Sequence, residues 1–177
     1  MTYVVGKTVL LLGGARSGKS RLAQARAERE AGELVFVATG EALDVEMTER
    51  IARHRAERGP RWRTVEAPRD LAGAVRRECA AGRVVLVDCL TLWLSNVMLA
   101  DADIVAATSD LLLAIEGQRS TLLLVSNEVG MGIVPETALG RRFRDEAGRL
   151  NQAVAAVADE VLLVAAGLQV TMKGASA

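Results

Sequence analysis

Short apolar runs alternate along the chain with longer segments in which apolar positions recur at helical spacing. The runs predict strands at 8–13, 34–39, 83–89 and 121–127, and two further apolar segments close the chain at 160–167 and 168–172. Nearly every position within these runs is apolar, which is typical of strands buried on both faces of a parallel sheet. The pattern therefore predicts a mostly parallel central sheet.

The segments between the predicted strands have the spacing of helices. We predict helices at 19–31, 44–58, 69–81 and 137–158, and helical patterns from residue 89 to about Gln118. Gly59-Pro60 and Gly82 end two of these helices. Residues 61–68 predict a short extended segment. Strands alternating with helices predict a three-layer α/β domain, with helices flanking the sheet on both sides.

Composition adds the size and the kind of core. The chain has 177 residues, a length that favours a single domain with a substantial core. We predict that this domain spans residues 1–177. Half of the residues are hydrophobic but only 3% are aromatic, so the core must consist mainly of Val, Leu, Ile and Ala. No linker, repeat or low-complexity segment interrupts the chain.

The charge balance excludes several classes of partner. The net charge is zero, so no overall field attracts nucleic acid or an acidic membrane.

The longest apolar region, 154–170, is interrupted by Asp159 and Glu160, which predicts no membrane-spanning segment. The N-terminus has no signal-peptide pattern. Cys79 and Cys89 lack the spacing of a zinc site and predict buried, reduced thiols in a cytoplasmic protein.

The strongest local motif is "GGARSGKS", which fits G-x-x-x-x-G-K-[ST] and lies between a predicted strand and a predicted helix. Glycines let the backbone N–H groups of such a loop surround phosphate, at the positive end of the following helix. Lys19 is predicted to reach the β- and γ-phosphates, and Ser20 to bind Mg²⁺. The predicted phosphate-contacting residues are Gly13, Gly14, Ala15, Arg16, Ser17, Gly18, Lys19 and Ser20.

An acidic residue is expected at the end of a neighbouring strand, where it would help to hold the metal ion. Asp88 ends the apolar run "VVLVD" and is our candidate for this role, together with Ser20. The alternative is that Asp88 caps the helix that follows it. These features predict binding of a nucleoside triphosphate. The chain lacks the [NT]-K-x-D motif of guanine-specific switches and is small for a motor, so a small-molecule transferase fits best.

His54 is the only histidine of the chain, and five arginines lie near it between Glu49 and Trp62. On the predicted helix it shares a side with Met47, Ile51 and Arg58. One interpretation is a half-buried histidine with a structural hydrogen bond. The other is a neutral imidazole that attacks an α-phosphate and carries a nucleotidyl group. Neighbouring arginines would neutralise the phosphates and disfavour protonation of the imidazole, whereas the helix C-terminus opposes that second effect.

Several segments occur together in one order and resemble a known family. They are "GGARSGKS", "VATG", "DVEMTERIARHRAERGPRWRTVEAP", "VVLVDCLTLWLSN" and "SNEVGMGIVPETALGRRFRDEAGRLNQAVA". From about residue 8 to 173 the chain resembles the bifunctional adenosylcobinamide kinase / adenosylcobinamide-phosphate guanylyltransferases. The resemblance implies phosphorylation of adenosylcobinamide by ATP or GTP. It also implies transfer of GMP from GTP, through a guanylylated histidine, to adenosylcobinamide phosphate, with release of pyrophosphate.

The resemblance also implies roles for individual residues. His54 matches the guanylylated histidine, and where some relatives have a Lys and two adjacent histidines this chain has Arg53-His54-Arg55. The implied nucleotide contacts beyond the phosphate loop are Ala38, Thr39, Gly40, Arg55, Ala56, Glu57, Arg58, Glu66 and Asp88. The alternatives are an ordinary turn for 38–40, a solvated helix end for 55–58 and a surface carboxylate for Glu66.

Further expectations come from the resemblance alone. It implies Mg²⁺ as cofactor and a homotrimer. The roles of Arg141, Arg142 and Arg144, in the segment 126–152, stay open between contact with phosphate, contact with an adjacent subunit and ordinary packing. Two rival functions also remain open at this point. One is a kinase without the guanylyl transfer, in which His54 is structural, and the other is a nucleotide-binding regulatory module.

Overall fold

The computed structural model describes residues 6–41 and 58–174. Within these ranges seven strands form one sheet. They are β1 (Lys7–Gly13), β2 (Glu33–Ala38), β3 (Trp62–Glu66), β4 (Arg83–Asp88), β5 (Thr121–Asn127), β6 (Glu160–Ala165) and β7 (Leu168–Lys173). The predicted strands and the extended segment at 61–68 are thereby confirmed. No helix in the described part of the chain is long and apolar enough to cross a membrane.

Five helices connect the strands in the described ranges. They are α1 (Lys19–Arg29), α2 (Leu71–Glu78), α3 (Leu90–Leu99), α4 (Ile104–Glu116) and α5 (Ala138–Val157). The helical region after β4 is divided into two because Asp101 adopts a left-handed φ of 53° and Asp103 caps α4 by accepting a hydrogen bond from the Ala106 amide. Most of the predicted helix 44–58 lies outside the described residues.

The order of strands is β3-β2-β4-β5-β1-β6-β7. Every neighbouring pair is parallel except β6 and β7, which form an antiparallel hairpin. The carboxyl ends of β1, β2, β3, β4 and β5 therefore lie along one edge of the sheet. Gly13 is in register with Asn127, and Asp88 with Val125, so β5 separates the phosphate-loop strand from the acidic strand end.

Both faces of the sheet are covered, which confirms the three-layer α/β prediction. Alternate residues of β1 enter different clusters, because side chains of a strand alternate between faces. Leu10 and Leu12 pack with residues of α2, α3, α4 and α5, whereas Val9 and Leu11 pack with Ala23 and Ala27 of α1. The buried side chains are almost all aliphatic, as the composition predicts.

A cluster of charges joins α1 to the sheet. Glu160, at the start of β6, accepts two hydrogen bonds of 2.7 Å from the Arg26 guanidinium, and its carboxylate lies 3.0 Å from the Lys7 ammonium. Hydrogen bonds from Arg26, and then from Lys7, lower the pKa of Glu160 to about 2. The cluster holds α1, the helix that follows the phosphate loop, against β1 and β6.

We predict that Glu160→Gln lowers the free energy of unfolding at pH 7. The pKa shift from 4.5 to about 2 corresponds to roughly 3 kcal/mol. Screening at the partly exposed Lys7 and Arg26 reduces the expected loss to about 1–2 kcal/mol. Because the folded-state pKa lies below the unfolded value, this contribution is present above about pH 4.5 and is lost as the pH falls towards 2.

Denaturant unfolding at several pH values measures this difference. The gap between wild type and Glu160→Gln should shrink as the pH falls below 4.5. Glu116→Gln, at an exposed glutamate on α4, is the matched control and should stay close to wild type throughout. A gap that is constant with pH would contradict the assigned role of the carboxylate.

Candidate nucleotide-binding site

The phosphate loop lies between β1 and α1, as the motif predicts. Its turn requires left-handed backbone at Gly18, with a φ of 97°, and at Arg16, with a φ of 56°. Gly18 is the N-cap of α1 and provides no side-chain cap, so the first N–H groups of the helix are left for another acceptor. The amide groups of the loop and the positive end of α1 form a cradle suited to an anion.

Contacts with the rest of the protein hold the loop in shape. The Ser17 carbonyl accepts a 2.9 Å hydrogen bond from the Gly167 amide, in the turn between β6 and β7. A side chain at Gly18 would meet Gly167, so the loop and this turn pack backbone against backbone. The Lys19 ammonium donates to the Gly14 carbonyl at 3.0 Å and is largely buried. The Lys19 ammonium group is thereby held at the inner side of the loop.

Ser20 and Asp88 meet beside the loop. The Ser20 hydroxyl, in the first turn of α1, donates a 3.4 Å hydrogen bond to the Asp88 carboxylate at the end of β4. The capping alternative for Asp88 is wrong, because the N-cap of α3 is Cys89. A hydroxyl and a carboxylate side by side offer two oxygen ligands, which suit Mg²⁺. The described residues contain no cluster of three or more His, Cys, Asp or Glu that could hold a metal ion alone.

A cavity of about 350 Å³ opens next to this pair, between α1 and the carboxyl halves of β2 and β4. It is lined by Ser20, Arg21, Gln24, Ala25, Glu28, Phe36, Arg58, Leu86 and Asp88. The Arg58 guanidinium lies 3.5 Å from the centre of the Phe36 ring, a cation–π contact. The structure thus brings Arg58 into the same cavity as Ser20 and Asp88.

Aromatic packing supports this wall of the cavity. Phe36 meets Trp62 edge to face, with ring centres 6.2 Å apart. The Trp62 indole N–H in turn donates a 3.0 Å hydrogen bond to the Glu28 carboxylate on α1. Two aromatic side chains and the Glu28 carboxylate therefore fix the spacing between β2, β3 and α1 on this side of the sheet.

The remaining predicted contacts occupy different places along the sheet edge. Ala38 ends β2 in register with Asp88, and Gly40 follows it, both of them half-buried. Thr39 is fully buried, and its hydroxyl is hydrogen-bonded to the backbone of Cys89. Glu66 is exposed at the end of the outer strand β3, four strand spacings or roughly 19 Å from β1. Glu66 therefore lies far from the phosphate loop.

The predicted nucleophile and its nearest neighbours are not part of this geometry. His54, Arg55, Ala56 and Glu57 lie outside the described residues. Their predicted roles stay predictions.

The structure adds polar residues that the sequence analysis did not select. The Asn127 amide, at the end of β5, donates a 2.8 Å hydrogen bond to the Thr91 hydroxyl, which lies 3.0 Å from the Cys89 sulfur. Asn96 is buried beneath Thr39. A signal for Asn127 was available, because it ends a predicted strand at the same edge as Gly13 and Asp88. Asn96 gave no signal, since a single Asn within a helical pattern is most often exposed.

Comparison with known proteins gives the family. A family described as cobinamide kinase / cobinamide phosphate guanyltransferase matches residues 9–172. The chain belongs to this family. Its pattern spans the phosphate loop, Asp88 and the position of His54 in one continuous match, which confirms the resemblance seen in the sequence.

Two relatives of the family illustrate how fully it is matched. The bifunctional adenosylcobalamin biosynthesis protein CobP of Pseudomonas aeruginosa is 48% identical over 167 residues, covering 93% of this chain and 96% of that protein. The bifunctional adenosylcobalamin biosynthesis protein CobU of Escherichia coli is 41% identical over 180 residues, covering 93% and 99%. The similarity therefore extends over almost the whole of both relatives.

Solved structures support the fold. The ATPase EscN of the Escherichia coli type III secretion system is 13% identical, with a TM-score of 0.55, covering 91% of this chain and 43% of that chain. At this identity the likeness concerns the fold alone. Together with the phosphate loop between β1 and α1, it supports a three-layer P-loop NTPase-type domain.

We predict that Gly13→Ala destabilises the protein even without nucleotide. A methyl group at Gly13 would overlap the Val164 carbonyl oxygen and the Ser17 hydroxyl, whereas one at Gly14 would meet nothing within 4 Å. Overpacking of this kind costs about 1–3 kcal/mol. Gly14→Ala is therefore the matched control and should change the free energy of unfolding by less than about 0.5 kcal/mol.

Denaturant unfolding of the two nucleotide-free variants makes the comparison. Equal stability of Gly13→Ala and Gly14→Ala would show that β6 does not confine the loop as the structure has it.

Proposed function

We propose that this protein phosphorylates adenosylcobinamide with ATP or GTP and then transfers GMP from GTP to adenosylcobinamide phosphate. The products of the second reaction are adenosylcobinamide-GDP and pyrophosphate. The observation that carries the proposal is the phosphate loop with Ser20 and Asp88 beside it, in a chain that belongs to the cobinamide kinase / cobinamide phosphate guanyltransferase family. Its relatives in two bacteria bear the name of bifunctional adenosylcobalamin biosynthesis proteins.

In the kinase reaction, the hydroxyl oxygen of adenosylcobinamide attacks the γ-phosphorus of the nucleotide. The bond from the γ-phosphorus to the β–γ bridging oxygen breaks, the hydroxyl proton leaves to solvent or a base, and the nucleoside diphosphate departs. Catalysis of this reaction is mainly positioning and neutralisation of charge. The buried Lys19 ammonium, already directed at the loop by its bond to the Gly14 carbonyl, supplies positive charge close to the phosphates.

Mg²⁺ is part of the proposal. Ser20 and Asp88 would hold the ion, directly or through water, and phosphate oxygens and water would complete its shell. The absence of a larger acidic cluster in the described part of the chain suits an ion that arrives with the nucleotide. The ion would neutralise charge on the phosphates.

In the guanylyl transfer, a neutral nitrogen of His54 attacks the α-phosphorus of GTP. The bond to the α–β bridging oxygen breaks and pyrophosphate leaves, so that GMP is held on the imidazole as a phosphoramidate. A phosphate oxygen of adenosylcobinamide phosphate then attacks the same phosphorus and releases the histidine. Arg58 follows His54 by four residues and lines the cavity beside Asp88, which supports a contact of its guanidinium with a phosphate group of the nucleotide.

The position of Glu66 fits a contact at the other end of a nucleotide. It lies on the same sheet edge as the phosphate loop but on the outer strand. A carboxylate can accept hydrogen bonds from two N–H donors of guanine, and a nucleotide extended along the edge would bring its base towards β3. Glu66 therefore belongs to the proposed base contacts. Thr39, in contrast, is fully buried, and its hydroxyl is hydrogen-bonded to the Cys89 backbone.

The proposal includes a homotrimer in the cytoplasm. On the edge strand β7, Leu168, Val170 and Met172 are exposed and, two residues apart, share one face. An exposed apolar stripe of this kind is typical of a surface that another subunit covers. The two cysteines are free thiols, which suits a reducing compartment.

We predict that His54→Ala abolishes guanylylation and leaves most of the kinase activity. After incubation with α-labelled GTP, wild type should carry an acid-labile, alkali-stable adduct, and His54→Ala none. GTP labelled at the γ-phosphate is the control and should leave no label on either protein, because that phosphate departs with pyrophosphate. A labelled His54→Ala variant would overturn the assignment of the covalent step to His54, and an unlabelled wild type would favour a kinase without guanylyl transfer.

We predict that Lys19→Met lowers the rate of adenosylcobinamide phosphorylation by about 100-fold, because a buried positive charge at the phosphates is lost. Lys173→Met is the control, since the Lys173 ammonium bonds only to the Ala155 and Ala156 carbonyls among the described residues, and it should keep the wild-type rate. Mass spectrometry of the corrinoid products measures both rates. Nucleotide binding without any consumption of cobinamide would instead favour a regulatory module.

A further inference from the structure

We propose that Thr39 and Asn96 are positioning residues that hold the Asp88 carboxylate in place for a divalent cation. This inference rests on the metal-binding role that the proposed function gives to Asp88. Neither residue needs to touch the nucleotide or the metal ion, because both act through the backbone that follows β2 and β4.

Thr39 is hydrogen-bonded to both peptide units that flank the Cys89 Cα. Its hydroxyl donates a 2.7 Å hydrogen bond to the Cys89 carbonyl and accepts one of 2.8 Å from the Cys89 amide. The Thr39 amide also donates to the Asp88 carbonyl at 3.3 Å. Three hydrogen bonds therefore tie one residue of the β2 end to the two residues at which β4 ends.

Burial shows that these bonds are not exchanged with water. Thr39 is 0% exposed and Cys89 is 6% exposed. If the Cys89 amide lost its partner while it stayed buried, the folded state would bear the full free-energy cost of desolvating that amide. The amide of Cys89 belongs to the peptide that follows Asp88, so a hydrogen bond to this amide limits the movement of the Asp88 Cα. The Asp88 side chain therefore extends towards Ser20 from a fixed point of the backbone.

Asn96 fixes Thr39 in turn. Its side-chain amide, on α3, donates 2.7 Å and 2.9 Å hydrogen bonds to the carbonyls of Thr39 and Pro68. One buried side chain thus joins the backbones that leave β2 and β3 to the helix that begins after β4. The position of Thr39 is determined by α3 as well as by the sheet.

The opposite flank of Cys89 is held too. Its sulfur lies 3.0 Å from the Thr91 hydroxyl, and that hydroxyl accepts a 2.8 Å hydrogen bond from the Asn127 amide. Asn151, on α5, donates to the Asn127 carbonyl at 3.1 Å. The junction after Asp88 is therefore fixed from β2 on one side and from β5 on the other.

A fixed carboxylate matters because of the ion it would hold. Mg²⁺ demands near-ideal octahedral geometry at 2.0–2.1 Å, so a small displacement of one ligand weakens binding. Substitutions of groups that orient a metal ligand typically cost 10–100-fold in metal affinity. A threonine that served the fold alone would affect stability without affecting the metal ion.

Binding of Mn²⁺, followed by electron paramagnetic resonance, tests the inference without reference to turnover. The protein is saturated with the β,γ-imido analogue of ATP, and the variants are Thr39→Val, Thr39→Ala and Thr39→Ser. We expect Val and Ala to weaken Mn²⁺ binding by about 10–100-fold. Ser keeps the hydroxyl and should stay within about threefold of wild type.

Thr8→Val is the matched control. It makes the same change at another buried threonine, in β1, whose hydroxyl accepts a 3.1 Å hydrogen bond from the Gln118 amide and does not touch the Cys89 backbone or its network. We expect it to lower stability, as Thr39→Val does, and to leave the Mn²⁺ affinity unchanged. If Thr39→Val does not fold, Thr39→Ala, which leaves room for a water molecule, gives the decisive comparison.

Two results would overturn the inference, and they differ in what else they overturn. Wild-type Mn²⁺ affinity in Thr39→Val or Thr39→Ala, or equal weakening in Thr8→Val, would show that Thr39 has only a structural role. Equal Mn²⁺ binding by wild type and Asp88→Asn would remove the proposed metal site itself. Only the second result would affect the proposed function.

Discussion

The position of β1 between β5 and β6 is the constraint on which the rest of the site depends. The phosphate loop leaves β1 at a point where the Val164 carbonyl of β6 leaves no space for a side chain at Gly13. On its other side, the Gly13 carbonyl accepts a 3.0 Å hydrogen bond from the Glu128 amide, just after β5. Because the loop is confined on both sides, α1 must start where Ser20 can meet Asp88 across β5.

Much of this arrangement could be predicted from the sequence, because it depends on local patterns. The apolar runs identify strands buried on both faces, and the spacing of Gly18, Lys19 and Ser20 identifies the loop. The order of the strands, and with it the distance from Gly13 to Glu66, depends on long-range pairing that has no local signal. Thr39 shows the same limit, since only the pairing of β2 with β4 places its hydroxyl on Cys89.

The family and the geometry support different parts of the function. The described residues contain groups suited to phosphoryl transfer, which are a phosphate loop, a buried ammonium and a neighbouring hydroxyl and carboxylate. The proposed guanylyl transfer assigns its covalent step to His54, a position that the family match covers and that lies outside the described residues. Arg58 connects the two, since it follows His54 closely in the chain and lies on Phe36 in the cavity beside Asp88.

The polar layer beneath the site explains why the carboxyl edge is not simply aliphatic. Buried threonine and asparagine side chains contribute less to stability than well-packed apolar ones unless every donor has a partner, and here Thr39, Asn96 and Thr91 have theirs. What such a layer adds is a single geometry, because each hydrogen bond excludes alternative positions of the strand ends. A metal ligand requires that precision more than the core requires the extra stability. The layer of Thr39, Asn96 and Thr91 lies directly behind Asp88, where the proposed metal ligand requires that precision.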